Sequence, residues 1–165
     1  MNDFYSYSPE DVSITLAGVH TVEGVESETF VNITKLLPIS EAKSTADGQV
    51  YRTIRADNTY DVELTLMQGS RTNEFLTVLQ QIDVLSGRGR FPIVIKDSSG
   101  NTSFYAASCW VQEVPNVSFS GNSQTSRLWR LRATDAILYV GSNSDSPMLS
   151  ADMGSLVTTL AALIS

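Results

Sequence analysis

Val12, Ile14 and Leu16 alternate with Ser13 and Thr15, the period-two pattern of a strand with one buried face. Ala17-Gly18 then marks a turn. The stretch from Thr29 to Leu37 alternates again, with Val31 and Ile33 on one face and Asn32 and Thr34 on the other. Asp61–Met67 is the cleanest case: Val62, Leu64 and Leu66 face one way, Asp61, Glu63 and Thr65 the other. After the break at Gln68-Gly69, Ser70 is placed to cap a helix, its hydroxyl accepting a first-turn N–H. Phe75, Leu79, Ile82 and Leu85 recur at helical spacing, and Gly87 closes the helix. Phe91–Lys96 is a short β-branched run, 97–101 a hairpin turn, and Thr102–Val114 a long strand stopped by Pro115. Arg127–Thr134 carries Trp129, Leu131 and Ala133 on one face and Arg130 and Arg132 on the other, with 136–140 as an extension.

Between these elements, Pro38–Thr59 has no period. It is rich in turn formers, Asp47-Gly48 and Asp57-Asn58 among them. A loop of about 20 residues in a compact domain is unusual and often functional. Gly141–Pro147 reads as a polar linker, and Ser155–Ile164 has the spacing of a short helix. The predicted organisation is one β domain over 1–140, followed by a linker and short C-terminal segment over 141–165. The fold class is mainly β: an antiparallel β-sandwich or barrel, one flanking α-helix at about 70–86, and a long loop at about 38–59.

Composition narrows the chemistry. The chain has 165 residues, is 42% hydrophobic and carries a net charge of −7. That is apolar enough to fold and too acidic to grip nucleic acid phosphates. His20 is the only histidine and Cys109 the only cysteine, which excludes an intrachain disulfide and a zinc site built on several Cys and His ligands. His20 reads as a turn histidine without a local nucleophile, and Cys109 as a core thiol that points to synthesis in a reducing interior. Gly87-Arg88-Gly89-Arg90 follows a helix rather than a strand, so it reads as a cap and connection and not a phosphate cradle. Asp61 and Glu63 have the makings of a glycosidase pair, but a solvated strand face accounts for them. The start of the chain lacks the basic and apolar regions of a secretory signal, no run of 18 apolar residues spans a membrane, and the three Asn-X-Ser/Thr triplets are chance matches. No catalytic residue, cofactor or metal is expected. The charge is uneven: residues 1–85 hold thirteen acidic and five basic residues, the remainder five and six. Such asymmetry suits head-to-tail assembly.

An ordered series of short stretches resembles the tail tube proteins of contractile-tailed bacteriophages. It comprises Tyr7-Ser8-Pro9-Glu10-Asp11-Val12, Gly24, Thr29-Phe30-Val31, Ala46–Val50 with Arg52, Val62–Gln68, and the helix with Asn73, Leu76, Leu79 and Asp83. It continues through Phe91-Pro92-Ile93, Ile95-Lys96-Asp97 and Gly100-Asn101-Thr102 to Trp110 and Pro115. The series covers roughly residues 5–140. The resemblance implies a β-sandwich or barrel similar in fold to type VI secretion and R-type pyocin tubes. Six copies would form a ring and the rings would stack into a hollow tube. The tail sheath protein would surround it, and a tape-measure protein would occupy it before DNA passes without specific binding. It implies a virion protein made in the host cytoplasm.

Geometry is consistent with that expectation. Four strands from each of six copies, ~4.8 Å apart and tilted ~45°, give a backbone circle about 50 Å across and a lumen of roughly 40 Å. An acidic wall repels DNA and offers it no sticking point. Asp61 and Glu63 are the first lumen candidates; Glu28, Asn32 and Thr34 share a parity on the adjoining strand and come second. The 38–59 loop, with Glu41, Lys43, Asp47, Arg52 and Arg55, is the candidate grip on the next ring. Arg130 and Arg132 are candidates for pairing with acids of a neighbouring subunit. Two alternatives stay open. One is a ring-forming tube-terminator or baseplate component. The other is a monomeric ligand-binding β-sandwich with a groove using Tyr105 and Trp110.

Overall fold

A computed structural model describes residues 4–143, Thr158 and 161–163. A single 3₁₀ turn, Pro9–Asp11, leads into β1 (Val12–Leu16), β2 (His20–Thr21), β3 (Val31–Lys35), β4 (Ser40–Ser44), β5 (Val50–Ile54) and β6 (Tyr60–Met67). Helix α1 (Thr72–Ser86) follows, then β7 (Phe91–Asp97), β8 (Ser103–Glu113) and β9 (Ser126–Tyr139). Seven strands form one antiparallel sheet in the order β2-β1-β7-β8-β9-β6-β3, and β4 and β5 form a separate hairpin. The structure is thus mainly β with one helix, α1, packed on the sheet, as the alternation predicts. The sheet stays open between β2 and β3 but curls far enough that Val12 of β1 and Val31 and Ile33 of β3 line one cleft with Ile95 and Phe104. Of the predicted linker and C-terminal helix, Gly141–Asn143 continue the domain and Thr158 and 161–163 are helical. The rest of both segments lies outside the described residues.

The core forms inside the curl. β6 buries Tyr60, Val62, Leu64 and Leu66 in strict alternation. These meet Ile14, Leu16, Phe91, Ile93, Phe104, Cys109, Trp129 and Leu131. Tyr60 and Phe104 touch edge to face at 5.4 Å between ring centres. Burial pushes the Cys109 thiol pKa up, so the cysteine stays a neutral packing group. Pro92, which has no N–H to give, stands where β8 takes an extra residue: Phe91 faces Cys109 and Ile93 faces Ala106. Below this bulge the buried parity of β8 passes from Ala106 to Cys109, and that of β9 from Ala136 to Ala133, beside Asp135 at φ 50°.

Helix α1 is sewn down at its start. The Ser70 hydroxyl accepts the Thr72 N–H at 3.2 Å and donates to the Glu23 carbonyl; Arg71, not Ser70, occupies the N-cap position and has no side-chain cap, so Ser70 serves the first-turn N–H from one residue further out. The buried Thr72 hydroxyl accepts the Glu23 N–H and meets His20 Nε2 at 2.9 Å, and the His20 ring stacks on Phe75. Gly24 passes so close that a Cβ would lie 2.8 Å from the Ser70 Cβ, and its φ is +65°; only glycine fits there. Asn73 accepts the Trp129 indole N–H at 2.8 Å. The predicted stripe is therefore shifted. Thr72 and Leu76 are buried and Phe75 and Leu79 half-buried, while Ile82 and Leu85 are exposed. Anchoring at the first two turns presses that end onto the sheet and leaves the far end beyond the core. Gly87 closes α1 at φ 67°, its N–H on the Asp83 carbonyl, and the Asp83 carboxylate accepts the Gly89 N–H.

Candidate assembly surfaces

Residues 38–59 are not a loop. β4 and β5 pair across five residues from Ser40↔Ile54 to Ser44↔Val50. The tip closes through Thr45 N–H to the Gln49 carbonyl at 2.8 Å, with Gly48 at φ 87°. Asp47 accepts a hydrogen bond from the Thr45 hydroxyl, which lowers its pKa. At the base, Arg55 meets Glu41 at 2.5 Å and the Arg55 N–H bonds the Ile39 carbonyl. Lys35 donates to the Asp57 carbonyl at 2.9 Å, fixing the return to β6. Every residue from Glu41 to Ile54 is exposed. One hairpin face carries Ala42, Arg52, Val50 (66% exposed) and Ile54 (65%); the other carries Glu41, Lys43, Tyr51 and Arg55. Neither face covers the domain's own core. A free two-stranded hairpin is marginal in water, and among the described residues nothing covers the apolar groups this arm displays.

The second surface is the outer face of β3, β6 and β9. Asp61, Glu63, Asn32 and Thr34 share it, as predicted: Thr34 faces Asp61 and Asn32 faces Glu63. Glu28 does not join them. The Thr65 N–H bonds the Phe30 carbonyl while the Thr65 carbonyl accepts the Glu26 N–H. Both ladder groups of one residue are thereby used, and 27–29 bend out before β3 begins. Arg130 and Arg132 differ from expectation as well. Cross-strand register sets Asp61 opposite Arg132 and Glu63 opposite Arg130. Arg132 Nε donates to Asp61 at 3.0 Å, and Arg130 lies 3.6 Å from Glu63 and 3.5 Å from Glu113. Both arginines thus pair with acids of their own chain, and the face presents matched ions instead of bare carboxylates. Half-exposed pairs of this kind are each worth about 0.2–1 kcal/mol.

A third fixture ties down the end of the domain. Asp97 accepts the Ser99 N–H and hydroxyl and the Asn143 amide at 3.0, 2.7 and 3.0 Å. Burial works to raise its pKa, but these hydrogen bonds outweigh it and hold the carboxyl below its usual range. Among the described residues no group of His, Cys, Asp or Glu is arranged to hold a metal, and no helix is long and apolar enough to cross a membrane.

No protein-family model matches the chain. It is 27% identical over 154 residues to Structural protein ORF10 of Pseudomonas phage KPP10, covering 89% of this chain and 88% of that protein. The fold is similar to that of the tube-terminating cap of the anti-feeding prophage, at TM-score 0.53 and 12% identity, covering 85% of this chain and 95% of the cap. It is also similar to the sheath/tube terminator, in the extended state, of an extracellular contractile injection system, PVC. There the TM-score is 0.54 and the identity 10%, covering 83% of this chain and 99% of the terminator.

Proposed function

We propose that this chain is a structural protein of a contractile phage tail that forms a ring at the end of the inner tube. It is a terminator, not the repeating tube subunit that the sequence resemblance implies. The observation that carries assembly is the β4–β5 arm, fourteen consecutive exposed residues with Val50, Tyr51 and Ile54 among them. The end-of-tube role is supported by the similarity of fold to two tube-end proteins, nearly the whole length of each being covered, and by the similarity to a phage structural protein. On this reading six copies close through their open sheet edges, which a ring removes from solvent. The arm seats on the tube and the sheath packs outside. Asn32, Thr34, Asp61, Glu63, Arg130 and Arg132 face the opening, where paired charges give passing DNA no net grip. The protein acts by assembly and shape, not by turnover.

The test is electron microscopy of the purified full chain beside light scattering over a hundredfold concentration range. Discrete rings that stay one layer thick as concentration rises are expected. Long tubes would return the repeating-subunit reading, and a species that stays at 18.0 kDa throughout, with or without purified tube, would overturn both.

A further inference from the structure

Arg127 is the first residue of β9 on the core-facing parity, and it is only 6% exposed. A buried cation ordinarily has a carboxylate beside it. Arg127 has none within 4.0 Å among the described residues; its Nη1 donates to the Thr125 hydroxyl and the Ser126 carbonyl, both neutral. Its guanidinium lies 5.6 Å from the centre of the Phe119 ring, which is itself exposed. Arg127 lines an open cleft of about 310 Å³ between α1 and the 114–125 connection. One wall is amide and hydroxyl: Gln68, Asn73, Thr77 and Gln80. The other is apolar, with Val114 and Val117 at the lip and Trp129 at the back. A buried arginine beside a tryptophan, with valines at one side of the cleft, has the composition of an interface hot spot.

We infer that this cleft binds an acidic side chain on a short apolar segment of a partner protein, the carboxylate pairing with Arg127 and the amides taking the partner's backbone. A single cation in a chain of net charge −7 does not suit a nucleic acid, which needs several phosphate contacts. The cleft lies within one chain, so binding does not require a ring, and failure of ring formation leaves it standing.

The probes are fluorescein-labelled Leu-Asp-Leu amide and its Leu-Asn-Leu counterpart, titrated against the full chain and read by anisotropy. The Asp peptide is expected to bind at least tenfold tighter, with Arg127→Met abolishing the difference. Because removing a buried cation that lacks a carboxylate costs the fold little, R127M is expected to melt no lower than the parent. A second variant, Gln80→Glu, keeps Arg127 but places a competing carboxylate on the helix wall, and is expected to weaken the Asp peptide by a similar factor. Equal binding of the two peptides, no saturable binding, discrimination that survives R127M, or displacement of the Asp peptide by an equimolar DNA oligonucleotide would overturn the inference.

Discussion

Two antiparallel pairings in this chain use the same backbone hydrogen bonds and have opposite fates. β6 and β9 pair over eight residues with one face sealed against Leu16, Phe104 and α1. β4 and β5 pair over five residues with both faces in water. Hydrogen bonds alone contribute little net stability, since the unfolded chain makes them with water. Apolar burial separates a strand that holds a domain together from an arm that, on the proposed reading, seats on another chain.

The sharpest way to break the comparison is to remove a side chain from each. Leu64→Ala opens a hole in a fully buried site and is expected to cost about 2–5 kcal/mol, read as a lower denaturation midpoint with an unchanged slope. The next largest difference is predicted for the latch at Asp97: Asp97→Asn weakens bonds from Ser99 and Asn143 and is expected to cost about 1–3 kcal/mol. Its pH signature follows from the lowered pKa. The contribution is fully present above the ordinary carboxylate value of 3.8 and disappears as pH falls through the lower folded value. Parent and variant stability curves should therefore converge only in acid. Opening the Glu63–Arg130 pair by Glu63→Gln is expected to change stability by less than about 1 kcal/mol, and by less still at high salt. Smallest of all for the lone chain is Val50→Ser with Ile54→Ser. Unfolding should move by no more than about 0.5 kcal/mol, while ring assembly in the microscope is lost. An assembly that survives this change would remove the arm from the interface.

The same contrast explains what could be read without coordinates. β6, β9 and the start of α1 were legible because burial imprints a period: Val62, Leu64 and Leu66 on one strand, Trp129, Leu131 and Ala133 on the other. The β4–β5 arm buries neither face, so nothing imposed alternation on Ser40–Ile54, and turn-forming residues such as Asp47-Gly48 dominated the pattern. The outward bend at Glu28 was invisible because it depends on Thr65, far along the chain. The pairing of Arg130 and Arg132 with Glu63 and Asp61 depends on register between strands about 70 residues apart, which spacing does not encode. Arg127 did leave a sign: it shares the odd parity of Trp129 and Leu131, a charge on the wrong face.

The order β2-β1-β7-β8-β9-β6-β3 puts the last of the described strands inside the sheet, between β8 and β6. Until Ser126–Tyr139 leaves the ribosome, β6 and β8 have no common neighbour, and the β3–β6 pair and the β1–β7–β8 group remain separate pieces with open flanks. Joining them closes contacts across long stretches of chain, a slow step in any folding reaction. The seven-stranded sheet therefore completes only once β9 has been translated, whereas the β4–β5 hairpin, which pairs only with itself, does not wait for that step.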